Sequence, residues 1–176
     1  MLSKFAINRV GYIANLEIVW YSNTMTKRGD MMRCTFFGNR NASFSIEPML
    51  YSVLTDLVKN KNVDMFYVGN QGNFDAVVRK CLRRLKKEIP HINYAVVLAY
   101  MPSAPKTGED YSDTVYPEIL DKVPYRFAIA KRNQWMVSVS DYVVTYVRSI
   151  GGGAAKYKDY AERQGKRIIE ISDILS

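Results

Sequence analysis

"FYVGNQGNFDAVVRKCLRRLKK", residues 66–87, carries an apolar run into two glycines and out into a basic segment with helical periodicity. Phe66, Tyr67 and Val68 suit a buried strand. Gly69-Asn70-Gln71-Gly72 then turns the chain. Val77, Val78, Cys81, Leu82, Leu85 and Ile89 recur at the three- and four-residue spacing of one helix face. Strand, glycine loop and amphipathic helix in that order form the repeating unit of a parallel α/β sheet.

The same alternation extends on both sides. "RCTFFG" at 33–38 reads as a buried strand, and Ile46, Met49, Leu50, Val53, Leu54 and Leu57 mark a helix from Ser45 to Lys59. Ser45 is expected to cap it, with Pro48 in the first turn, where a missing N–H costs little. "VDMFYVG" and "INYAVVLAY" read as the next two strands. Residues 101–125 hold four prolines and little periodicity, which predicts a long loop. A helix around Ile129 to Val139, the strand "DYVVTYV", a helix from Ala154 to Gln164 and a last strand "RIIEIS" complete the pattern. Continuously apolar strands alternating with helices predict a Rossmann-like three-layer sandwich, a mostly parallel sheet of about five strands with helices on both faces. Right-handed crossovers then bring every strand-to-helix loop to one edge, where ligands bind in such folds.

Composition sets the outer bounds. A chain of 176 residues, 48% hydrophobic, buries one sizeable core, so a single domain over residues 31–176 is expected. The net charge of +8, with a pI near 9.4, favours contact with phosphates without choosing among nucleotides, nucleic acid and lipid headgroups. Cys34 and Cys81 fall in a predicted strand and helix rather than in a spaced framework, which points to a reducing, cytoplasmic setting. The single histidine, His91, argues against a zinc site or a Ser-His-Asp triad. No apolar run is long enough to span a bilayer. The composition is compatible with a homo-oligomer and does not require one.

The first 30 residues have no clear partner element. They read either as an arm or mis-annotated leader before a start at Met31 or Met32, a start that Lys27-Arg28-Gly29 permits by its codons, or as an edge strand from Gly11 to Tyr21. "YIANLEIVWY" is interrupted by Glu17 and makes a poor signal peptide.

Three loops on the predicted edge are rich in small or flexible residues: Gly38-Asn39-Arg40, Gly69 to Gly72, and Gly151-Gly152-Gly153 running on to Lys156. Glycine lets backbone amides approach a ligand, and the helix that follows presents free N–H groups to an anion. Neither the dinucleotide fingerprint nor the P-loop spacing occurs, which disfavours an ordinary dehydrogenase or NTPase, and no motif asks for a cofactor.

The stretches "CTFFGNR", "FYVGNQGNFDAVV", "AKRNQWMVSVSDYVVTYV" and "GGGAAKYKDYAERQGKRIIEI" together resemble the successive motifs of the SLOG superfamily. This Rossmann-like group joins the DNA-processing protein A family, the Lonely Guy phosphoribohydrolases and many bacterial and phage proteins. The resemblance covers residues 32–172. Phe37 and Asn39 replace a threonine and a histidine of the usual first motif, while Gly69, Gly72 and a shifted Asp75 keep the second. What the resemblance implies is a nucleotide or nucleotide-derived ligand, ADP-ribose-like or a nucleoside phosphate, with Arg132 and Asn133 of "RNQWM" beside the glycine loops. It also implies, as an alternative, hydrolysis of a nucleoside monophosphate. For that reaction Lys158 stands where the Lonely Guy glutamate would fall, so the carboxylate would have to come from Asp75, Asp159 or Glu162.

The basic residues of 66–87 are a separate matter. Arg79, Lys80, Arg83, Arg84, Lys86 and Lys87, less Asp75 and Glu88, make half of the chain's net charge and lie opposite the apolar stripe. They read as a solvated face, with a single-stranded DNA groove as the alternative. Tyr100, Tyr111 and Tyr116 are candidates to stack on a base. The reading is therefore a nucleotide-binding or sensing domain, with a Lonely Guy-type hydrolase and a single-stranded DNA-binding module as alternatives.

Overall fold

The computed structural model describes residues 8–9, 31–101, 113–148 and 151–171. Within them the chain forms β1 (Asn8–Arg9), β2 (Met32–Gly38), α1 (Glu47–Lys61), β3 (Val63–Val68), α2 (Asn73–Glu88), β4 (Asn93–Val97), β5 (Thr114–Tyr116), α3 (Ala128–Ser138), β6 (Tyr142–Tyr146), α4 (Gly153–Arg163) and β7 (Arg167–Glu170). The strands make one sheet in the order β1-β5-β4-β3-β2-β6-β7, and every pairing is parallel. This is the Rossmann-like α/β sandwich expected, with seven strands where about five are legible. The additional strands are β5, three residues inside the proline-rich stretch read as a loop, and β1, two residues paired with it. Both are too short to show a period. The proposed edge strand from Gly11 to Tyr21 lies outside the described residues.

β2 is an interior strand, and Cys34, Thr35, Phe36 and Phe37 are all buried because helices cover both faces. Alternation sends Cys34 and Phe36 into one core with Leu50, Leu54 and Leu57 of α1 and Val77, Val78, Leu82 and Leu85 of α2. It sends Phe37 into the other, with Met136 and Val137 of α3 and Tyr157 and Ala161 of α4. Thr35, buried in the strand, satisfies its hydroxyl on the Tyr67 carbonyl at 3.0 Å.

The approach to α1 differs from expectation in one respect. Ser43, not Ser45, accepts the capping bond: Ser45 N donates to Ser43 Oγ at 3.2 Å, opening a 3-10 turn over Phe44–Ile46 before α1 begins at Glu47. Pro48 does sit in the first turn. At the other end Asn62 takes a left-handed conformation, with Lys59 and Lys61 in the last turn.

Strand order reverses beside β2. From β2 the chain steps through β3 and β4 to β5 on one side, then returns to place β6 and β7 on the other. The carboxyl ends of β2 and β6 therefore release their chains toward opposite layers, which opens a crevice between them.

Candidate functional site

A cleft of about 490 Å³ lies at that crevice. Its walls come from the end of β2, the loops after β2, β3 and β6, one face of α3 and the start of α4. The loop after β2 is the keystone. Asn39 N donates to the Tyr146 carbonyl at 3.1 Å, and its side-chain oxygen accepts from Arg148 N at 2.8 Å. On the other side the Arg40 carbonyl accepts from Asn73 N at 2.7 Å, while Gly72 packs directly on the Arg40 backbone. The loop after β2 is thus bonded both to the end of β6 and to the start of α2.

Of the residues singled out in the sequence, Gly38, Asn39, Arg40, Gly69, Gln71, Asp75, Arg132, Asn133, Gly152 and Gly153 line the cleft. Asn70, Gly72, Gly151 and Lys156 do not. Asn70, Gly151 and Lys156 are exposed, and the Lys156 ammonium lies toward the Tyr157 ring, 6.0 Å from its centroid. Gly72 serves the junction with Arg40 instead of lining the cleft.

The second loop also differs in its chemistry from a free anion cradle. Asp75 turns back at the start of α2, and its Oδ2 accepts from Gln71 N at 2.9 Å. The carboxylate thus occupies the positive end of this helix from within. Burial pushes the Asp75 carboxyl above its ordinary range, against the opposing pull of the Gln71 N–H and of Arg132 and Arg79.

Arg132 is 3% exposed, on the second turn of α3 rather than in its first. It donates from Nη1 to the Val97 carbonyl at 2.9 Å, and its Nε finds no partner among the described residues. Gly69 makes room for it: a Cβ there would meet Asp75 Oδ2 and would fall 3.0 Å from Arg132 Nη1. Burial lowers the Arg132 pKa, with Asp75 the largest influence in the other direction. The guanidinium remains protonated, so it holds a buried positive charge in the cleft wall.

α4 supplies the complementary feature. Its N-cap is Gly152, no side chain caps it, and Gly152, Gly153 and Ala154 face the cleft. A Cβ on Gly153 would meet nothing within 4 Å, so the space above this helix end is open. The first N–H groups of α4 are therefore accessible to a ligand.

The remaining lining includes Phe36, Phe37, Asn41, Ile129, Met136, Ala154 and Tyr157, none of which the sequence singled out as ligand contacts. Phe37 stacks on Tyr157 with centroids 5.1 Å apart, and the Tyr157 hydroxyl donates to the Ala130 carbonyl at 3.3 Å. Most of these read as core, which they also are. One signal was available: residues 129, 132, 133 and 136 share one face of α3, so Arg132 and Asn133 imply Ile129 and Met136 beside them.

Lys158, expected from the sequence to stand where the Lonely Guy glutamate falls, bridges to Glu170 of β7 at 2.5 Å and does not line the cleft. Asp159 and Glu162 are exposed and away from it. Asp75 is the carboxylate that reaches the lining. On α2, Lys80 pairs with Glu47 at 2.7 Å, Arg84 pairs with Glu88 and lies over the Tyr51 ring, and Lys86 donates to the Ile92 carbonyl at 3.2 Å. Half of its cations thus already serve the packing around α1 and α2. Among the described residues no helix is long and apolar enough to cross a membrane.

Two solved structures share this architecture. DNA processing protein A from Helicobacter pylori, a single-stranded DNA binder, matches with a TM-score of 0.56 at 12% identity, over 80% of this chain and 65% of that one. DNA processing protein A from Streptococcus pneumoniae matches with a TM-score of 0.50 at 13% identity, over 82% of this chain and 61% of that one. The chain spans less than two thirds of either protein, and at such identities the likeness is one of fold. No protein-family model matches the sequence, and no curated protein does.

Proposed function

We propose that a chain with this Rossmann-like fold binds a nucleotide or nucleotide-derived phosphate in the cleft, with the phosphate at the N-terminus of α4. The observation that carries the reading is the pairing of an uncapped, glycine-opened helix end with the buried, incompletely bonded Arg132 guanidinium on the same cleft wall. Helix N–H groups and a desolvated cation together suit an oxyanion, and the Phe37, Met136 and Tyr157 floor suits the apolar part of a small molecule. A volume of about 490 Å³ falls within the range of roughly 300–1,000 Å³ usual for such ligands.

Gly153→Asp tests it. The new carboxylate points into open cleft space, while an acidic residue at the first helical position favours the helix itself. Thermal-shift titration with nucleoside mono- and diphosphates and ADP-ribose is expected to stabilise the unmodified protein and to leave Gly153→Asp unmoved. Equal shifts in both proteins, or no shift with any phosphate compound, would overturn the proposal.

A second reading, single-stranded DNA held by its phosphates at the same cleft, is favoured by the fold shared with the Helicobacter pylori protein. An oligodeoxynucleotide arm with a steep loss of affinity on adding salt would support it over the small-molecule reading. Glycosidic hydrolysis remains an alternative only through Asp75, since Lys158 is turned to Glu170.

A further inference from the structure

A 3-10 turn over Tyr125–Phe127 leads directly into α3, the helix whose Ile129, Arg132 and Asn133 line the cleft. Its aromatic side chains stand in water: Tyr125 is 75% exposed and Phe127 50%. Tyr125 is nevertheless held. Its ring stacks on Tyr100 with centroids 4.1 Å apart and planes 21° from parallel, and the Tyr100 hydroxyl donates to the Tyr125 carbonyl at 3.3 Å. Tyr100 follows closely on Val97, whose carbonyl accepts from Arg132 Nη1 at 2.9 Å, which puts the stacked pair on the Arg132 side of the cleft. Beside it the Arg126 guanidinium rests over the Phe127 ring, 4.7 Å from the centroid.

A single exposed tyrosine is ordinary. A tyrosine already stacked on a second ring, with its outer face in water and a cation beside it, has surrendered its rotamer freedom without burying its surface. That arrangement suits a platform awaiting a flat ligand, because the ordering cost of binding has been met in advance.

We propose that the outer face of Tyr125, backed by Tyr100 and flanked by Phe127 and Arg126, seats the base of a nucleoside 5′-phosphate whose phosphate lies at α4. This rests on the nucleotide reading above. It adds a selectivity: the site prefers a phosphorylated nucleoside to the sugar phosphate alone. Every base offers a π-face, so the platform selects for a planar heteroaromatic group and not for one base.

The test is calorimetric titration of the unmodified protein, Tyr125→Ala and Tyr125→Phe with adenosine 5′-monophosphate and with ribose 5-phosphate. Adenosine 5′-monophosphate is expected to bind the unmodified protein more tightly than ribose 5-phosphate. Tyr125→Ala is expected to weaken the nucleotide by about tenfold and leave the sugar phosphate unchanged, while Tyr125→Phe restores nucleotide affinity. Tyr125 is exposed, so its loss should not compromise folding. Unchanged nucleotide affinity in Tyr125→Ala overturns the platform while leaving the phosphate site standing. Failure of both compounds to bind the unmodified protein overturns the nucleotide reading and the platform with it.

Discussion

Replacing Gly72 with alanine tests how the glycine loops are locked together. Gly72 has φ +95° and ψ 175°, a conformation open essentially to glycine, and forcing an L residue into it costs about 1–3 kcal/mol. The added methyl would also lie 2.8 Å from Arg40 Cγ, 2.9 Å from Arg40 Cα and 3.0 Å from the Arg40 carbonyl oxygen. The exposed side chain can swing away. The backbone cannot, because the Arg40 carbonyl is held by Asn73 N at 2.7 Å. Overlap of this kind costs roughly a further 1–3 kcal/mol, so the whole substitution should destabilise by about 2–6 kcal/mol. Two other glycines separate the contributions. Gly165, at φ +68° with nothing within 4 Å of a Cβ, carries only the dihedral cost, about 1–2 kcal/mol. Gly151 carries neither and should change stability by no more than about 0.5 kcal/mol. Urea unfolding of the three alanine variants, followed by circular dichroism, should rank them Gly151, Gly165, Gly72 in increasing loss. A Gly72→Ala protein as stable as Gly151→Ala would refute the account of the loop junction.

Other outcomes follow from the same geometry. Because burial raises the Asp75 carboxyl in the folded protein, folding takes up a proton there, and the resulting stability is lost as pH rises through the raised value. Asp75→Asn lacks that loss, so its stability relative to the unmodified protein should climb as pH rises from the ordinary carboxylate range through the raised value, in urea unfolding across that interval. Arg132→Met strands the Val97 carbonyl and should cost about 1.5–3 kcal/mol by the same assay. Cys34 and Cys81 are buried and their thiols are pushed up, that of Cys81 to about 11, so iodoacetamide at pH 8 should label neither until denaturant is added, as read by intact mass. Changing the exposed Arg83 and Lys87 together to glutamine should leave stability within about 0.5 kcal/mol and leave ligand affinity unchanged by calorimetry.

The elements legible in the sequence were those whose burial imposes a period. β2 and β3 read as strands because both of their faces are covered, and α2 read as a helix because Val77, Val78, Cys81, Leu82 and Leu85 face one layer. β5 escaped because Thr114–Tyr116 is shorter than any period, and Tyr116, read as a stacking candidate, is 7% exposed in a small core with Leu98 and Leu120. Tyr111 lies outside the described residues. The glycine loops were legible as an edge, since parallel connections oblige them to meet there. Which amides remain free was not legible. That depends on Asp75 folding back onto Gln71 N, a choice made by tertiary burial rather than by spacing. Tyr125 looked like loop sequence, and only its pairing with Tyr100 distinguishes it.

The bonds of Asn39 have a consequence for the order in which the cleft comes into being. Arg40 and Asn73 are 33 residues apart, and the β2-α1-β3-α2 segment that joins them can bring them together without any later strand. Asn39 and Arg148 are separated by 109 residues, and their contact waits until β6 has been added beside β2. Loop-closure entropy makes such a distant contact slow to form, so the cavity should be the last region of the sheet edge to close during folding. A ligand bridging Arg132 and the α4 terminus would tie the helix after β6 to the helix before it, and its presence should show most as protection of the otherwise free first α4 amides from hydrogen exchange.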